Sequence, residues 1–128
     1  RARATAAGGD AVDLAVAEGV DGLVLTNTII DRGVLTGADR DMAEAEAGGI
    51  SGRPLAVRSM EVLRLVRAHL DSRHPEVAMV LVSAGGVGDA RDVSARLGAG
   101  ADLVQAYSGL IYGGPFWPGA LVRGSRTV

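Results

Sequence analysis

Three short apolar runs, Gly22 to Leu25, Val77 to Val82 and Asp102 to Ala106, alternate with stretches patterned at helical spacing, and this alternation constrains the fold most. Each run is too short for a buried helix and is bounded by turn residues, so each reads as a strand. The continuously apolar Val77 to Val82 suits a strand covered on both faces. Asp10 reads as the cap of a helix carrying Ala11, Leu14 and Ala15 and ending at Gly19. Ser59 opens another, with Val62, Leu63, Val66 and Leu70 on one face against Arg64, Arg67 and Asp71. A third runs from about Asp89 to Leu97, with Ala90, Val93 and Leu97 on one side. The resulting order of helix, strand, loop, helix, strand, helix, strand predicts an α/β fold with a parallel sheet and right-handed crossovers.

Gly19 to Val24 (GVDGLV) is faintly echoed by Gly100 to Gln105 (GADLVQ), each glycine closing a helix just before a strand. Such echoes occur in barrels of repeated strand and helix units. Three strands cannot close a barrel that takes eight strands and about 250 residues. The pattern therefore leaves two readings, a small open sheet or part of a barrel. Thr26 to Arg53 is a long polar excursion with room for one short acidic helix over Asp39 to Ala47, and such loops are usually functional or disordered.

Composition removes several function classes. Thirteen basic residues against fifteen acidic ones give a net charge of −2 with no basic block, so no nucleic-acid partner is expected. The absence of cysteine excludes a disulfide scaffold, a thiolate zinc site and a cysteine nucleophile within these residues. All the basic residues are arginine, which rules out a Schiff-base lysine and a lysine-bearing phosphate loop here. No apolar run approaches the roughly 18 to 20 residues that span a bilayer.

The chemistry is concentrated where strands end. Ser83 to Gly88 hands the second strand over to a helix, and the Gly85-Gly86 pair lets backbone amides approach an anion closely. Tyr107-Ser108-Gly109 follows the third strand and leads into a short helical segment at Leu110-Ile111-Tyr112. Loops after the last two strands of a barrel, with a short extra helix, form a recurrent phosphate cradle. Thr26-Asn27-Thr28 ends the first strand on the same rim; the Asn27 amide can serve a planar ligand bearing carbonyl and N–H groups, or simply form a turn. Gly49-Ile50-Ser51-Gly52 misses the register of a nucleophile elbow, which argues against a hydrolase. His69 and His74 read as solvated residues without a carboxylate neighbour at ligand spacing, so no metal site is assigned.

Together, Asp21 to Thr28 (DGLVLTNT), Gly48 to Leu55 (GGISGRPL), Ala84 to Val87 (AGGV) and Gly98 to Pro115 (GAGADLVQAYSGLIYGGP) resemble the C-terminal half of dihydroorotate dehydrogenase, particularly its quinone-dependent class. The resemblance implies the C-terminal portion, about three strand and helix units, of a TIM (β/α)8 barrel. It covers about residues 12–115 of one partial barrel domain spanning 1–128, with an atypical tail at 116–128. It also implies FMN as cofactor, oxidation of dihydroorotate to orotate in pyrimidine synthesis, a quinone acceptor, and peripheral attachment of the full-length enzyme at the cytoplasmic face of a membrane. Carried over by position, Thr26, Gly52, Gly85, Gly86, Tyr107 and Ser108 would bind the flavin, the last three at its phosphate, while Asn27 and Thr28 would hold the orotate ring.

Three departures qualify this expectation. Ser83 stands where the family usually has glycine and would crowd the flavin slightly. Pro118 is expected to break the family's helical tail after Pro115. The family's serine base, its flavin- and orotate-binding lysines and its quinone-binding helices belong to earlier units and match nothing here. This chain alone is therefore expected to be inactive, and to associate with the rest of a barrel or with itself through uncovered apolar surface. Another FMN- or phosphate-binding barrel enzyme, or a non-catalytic remnant binding a phosphate ligand or a partner, is the alternative.

Overall fold

Leu63, Val66 and Leu70 are buried at helical spacing along one side of a long helix, and the sheet and a second helix close over them. The computed structural model describes residues 2–126; Arg1 and the last two tail residues, Thr127 and Val128, lie outside the described residues. Its elements are α1 (Ala2–Ala17), β1 (Gly22–Leu25), α2 (Ala38–Ala45), α3 (Ala56–Arg73), β2 (Val80–Ala84), α4 (Ala90–Gly98), β3 (Leu103–Gln105), α5 (Ser108–Gly113) and α6 (Trp117–Ser125). The strands form one parallel sheet in the order β1-β2-β3. Consecutive parallel strands lying side by side, joined by helices, are the repeating plan of a barrel wall.

The register separates the two sheet faces. Leu23 pairs with Leu81, Leu25 with Ser83, and Ser83 in turn with Val104, on the face toward the core, where Leu81 and Ser83 are fully buried. Val12 of α1, the α3 stripe, Met79 and Ala101 complete that core. On the opposite face Val24, Val82 and Leu103 form one row, and Val24 and Leu103 are 62% and 58% exposed. The expectation of a strand covered on both faces is therefore corrected: β2 begins at Val80, three residues later than the apolar run, and only one of its faces is packed. Val77 and Met79 sit in a tight approach whose backbone bonds are local, from Val77 N–H to the His74 carbonyl and from Met79 N–H to the Val77 carbonyl.

Several helix boundaries also move. Asp10 lies inside α1, which continues through Gly8 and Gly9; a Cβ on Gly9 would lie 3.1 Å from His69 Cε1, so the glycine permits close helix approach. The buried face of α1 is Val12 rather than Leu14, which is exposed. Ser59 lies within α3, fully buried, one turn after its start. Asp89 caps α4 through a reciprocal capping box with Asp92, as its position predicts, but α4 buries Arg96 and leaves Leu97 exposed. Pro118 does not break the tail: it occupies the first turn of α6, where a missing N–H costs nothing. Trp117 anchors that helix against α5, since a Cβ on Gly109 or Gly113 would fall 2.4 Å from the indole.

The excursion between β1 and α3 is organised by one side chain. Arg32 Nε donates to the Ala43 carbonyl at 2.6 Å, while its terminal nitrogens reach the carbonyls of Ile30, Glu46 and Gly48. Ile29 and Ile50 bridge its two ends. The expected short acidic helix is α2.

The histidine expectation is overturned by tertiary contact. Asp13, 56 residues before His69 and 61 before His74, places Oδ1 at 2.6 Å from Nε2 of each ring. Those hydrogen bonds, His69 first and His74 next, lower the Asp13 carboxyl from 3.8 to about 2. A depressed carboxylate adds stability above its unfolded value that disappears as pH falls through its folded one. Melting temperatures of the native chain and Asp13→Asn should therefore converge as pH falls from about 4 to about 2. A gap that stays constant across that window would contradict the coupling.

Candidate functional site

Parallel strands deliver their C-terminal ends to one rim, and here the three following segments enclose an open cleft of about 260 Å³. Thr26, Asn27 and Thr28 leave β1; Gly85, Gly86 and Val87 leave β2; Ala106, Tyr107, Ser108 and Gly109 leave β3. Ser51, Gly52 and Leu55, entering α3, form a further wall. Every residue assigned to flavin or orotate from the sequence lines this single cleft.

The turn after β2 is held from beneath. Arg96, only 2% exposed, donates to Ser83 Oγ at 2.7 Å, to Ser59 Oγ at 3.0 Å and to the Gly85 carbonyl. Ser59 Oγ itself donates to the Gly85 carbonyl at 2.8 Å. Arg96 Nε has no hydrogen-bond partner among the described residues. Burial lowers the guanidinium pKa from its usual value, and the Asp92 charge pulls the other way. Ser83 accordingly points into the packed layer and is not part of the cleft wall, so the expected crowding of a flavin by Ser83 is corrected.

The far end of the same turn is pinned by Asp92. Its Oδ2 accepts from the Gly88 N–H at 2.8 Å, from the Asp89 N–H at 3.3 Å and from Arg53 Nη1. Burial opposes ionisation of Asp92, yet the Gly88 N–H, then Arg53 and the Asp89 N–H, hold its carboxyl below the ordinary value. Between these anchors Gly86 has φ +76°, and a Cβ there would fall 2.4 Å from the backbone nitrogen of Ala56. Glycine is thus required first by the approach of the turn to α3, a reason the sequence reading, which invoked ligand space, did not contain.

Across the cleft, Ser108 Oγ donates to Ser51 Oγ at 2.9 Å, joining the end of β3 to the entrance of α3. Asn27 Oδ1 accepts the Thr28 N–H at 2.7 Å, a turn contact that still leaves the amide NH₂ for other partners. Tyr107 is 74% exposed at the rim. The lining contains hydroxyls, amides and backbone groups but no carboxylate, imidazole or amine, so it can bind and orient a ligand without taking up a proton near neutral pH. Sequence reasoning missed Ser51, Gln105 and the Arg96 support. Ser51 lay in a glycine-rich stretch already in view, whereas a helical arginine carries no local sign of burial.

The sequence pattern of the dihydroorotate dehydrogenase family matches residues 5–126. A dihydroorotate dehydrogenase (quinone) from Kocuria rhizophila is 52% identical over 117 residues, covering 89% of this chain and 31% of the relative. Another of that name from a Nocardioides species is 51% identical, covering 88% and 30%. Among solved structures, a DHODH from Eimeria tenella in complex with ferulenol superposes with a TM-score of 0.78 at 28% identity, over 94% of this chain and 30% of that one. The chain spans about three tenths of the length of these relatives, and its sheet is a portion of a (β/α)8 barrel. With the family's pattern running through nearly all the described residues and a solved member's backbone matched over 94% of the chain, the chain belongs to the dihydroorotate dehydrogenase family.

Proposed function

We propose that this chain supplies the phosphate-binding and orotate-binding side of an FMN-dependent, quinone-reducing dihydroorotate dehydrogenase. One observation carries the reading: Thr26, Asn27, Thr28, Gly52, Gly85, Gly86, Tyr107 and Ser108 share one strand-end cleft. Gly52, Gly85 and Gly86 contribute backbone to the wall, which suits a phosphate and a flat ring system. In this reading Gly86, Tyr107 and Ser108 hold the phosphate end, Thr26, Gly52 and Gly85 meet the rest of the flavin, and Asn27 with Thr28 orients the pyrimidine.

Oxidation of dihydroorotate removes a hydride from one ring carbon and a proton from its neighbour. A bound FMN would supply the hydride acceptor and the route by which the electrons pass on to a quinone. The residues present here orient both rings, and the proton must go to a base outside this cleft lining. The uncovered apolar row at Val24 and Leu103 is the surface on which the remaining barrel strands, or a second copy, would pack. A quinone acceptor implies peripheral attachment at the cytoplasmic face of a membrane; among the described residues no helix is long and apolar enough to cross one.

Absorbance of the flavin-loaded protein should shift on adding orotate, and the absence of any shift at saturating orotate would sink the reading. Asn27→Asp keeps the acceptor for the Thr28 N–H and removes the NH₂ donors. It should leave flavin content unchanged and weaken orotate binding about 10- to 100-fold, the effect of roughly 1 to 3 kcal/mol for an unmet polar contact. Orotate affinity equal to the native value would make Asn27 a turn residue only. The chain alone, mixed anaerobically with FMN and dihydroorotate, should not bleach the flavin at an enzymatic rate, because general-base catalysis typically contributes about 10² to 10⁴. Rapid bleaching would show that a base lies within these residues.

A further inference from the structure

Asp13 on α1, His69 near the end of α3 and His74 just beyond it converge although none of them lines the cleft. Their ligand atoms all lie within 4.8 Å of one another. Sequence spacing does not bring this about. In a continuing helix of 3.6 residues per turn, residue 74 would point about 140° away from residue 69. His74 instead leaves the helix with φ −137° and ψ 52°, which brings its ring centroid to 6.0 Å from that of His69. Both Nε2 atoms then face the same Asp13 oxygen, at 2.6 Å each.

Two imidazoles and one carboxylate, from α1, from α3 and from the residue just past its end, form a donor set suited to zinc-class ions, which bind such ligands at about 2.0 to 2.2 Å and often add water. All three groups are half-buried, so the donors are partly sheltered while one side stays open to solvent. Tetrahedral ligation at those bond lengths would set the donor atoms about 3.3 Å apart. Each Nε2 would have to retreat from Oδ1 by about 0.7 Å, a change within reach of side-chain rotation. We propose that Asp13, His69 and His74 bind one divalent transition-metal ion of the zinc class, with water completing its coordination, and that the ion fastens α1 to the end of α3.

The chain has two histidines, which makes the test direct. The metal-free chain titrated with Co²⁺ should take up one equivalent, develop the visible bands of low-symmetry cobalt and lose them when Zn²⁺ is added. Imidazole nitrogen resonances of both His69 and His74 should move on adding Zn²⁺, a readout that needs no variant. Asp13→Asn and His74→Gln should each weaken Zn²⁺ binding by more than about tenfold, at least the loss seen when an outer-shell partner is removed. Absence of stoichiometric uptake, or histidine resonances unmoved by Zn²⁺, would leave the cluster as a hydrogen-bonded staple and overturn the proposal. So would undiminished affinity in folded variants.

Discussion

A single buried guanidinium holds the site's floor together. Arg96 reaches from α4 to Ser83 on β2, to Ser59 on α3 and to the Gly85 carbonyl in the turn that forms one wall of the cleft. Its bonded partners are two hydroxyls and a carbonyl, with no carboxylate bonded directly to it. The desolvation of a charge inside a protein is expensive, and a buried charged group left without hydrogen-bond acceptors costs more than the roughly 1 to 3 kcal/mol of a neutral one. The arrangement therefore persists only because all three elements supply acceptors at once. That requirement fixes how α3 and α4 seat on the sheet, and with it the path of the Gly85-Gly86 turn between Arg96 below and Asp92 at its far end.

The unequal sheet faces connect the fold to its function. Helices cover Leu81 and Ser83, so these positions are buried on that side. The row of Val24, Val82 and Leu103 faces the other way, with Val24 and Leu103 largely exposed. A barrel interior is a packed layer built by side chains from all the strands, so three strands can present only part of it. The cleft at the strand ends inherits the same incompleteness: it offers binding groups and carries no base.

Much of this was legible in the sequence. Apolar runs located all three strands, and the α3 stripe was identified residue by residue, because burial on one face leaves a periodic trace. The strand-end position of Asn27, the glycine pair and Tyr107-Ser108 followed from local punctuation, and all of them meet in one cleft. Asp10, Ser59 and Pro118 are residues whose local preferences favour helix boundaries, and at Asp10 and Ser59 packing prevailed; Pro118 met its preference in the first turn of α6.

By itself the sequence determined the alternation of strands and helices, the family, and the set of residues gathered at the strand ends, since each depends on short-range pattern and composition. Only the tertiary structure decided that β2 is packed on one face, that Gly86 is glycine because Ala56 leaves no room, and that Arg96 rather than Leu97 is buried. The meeting of Asp13 with His69 and His74 belongs to the same group. Contacts between residues more than fifty positions apart leave no mark on local periodicity, because they are set by how helices dock on a sheet and not by how each helix forms.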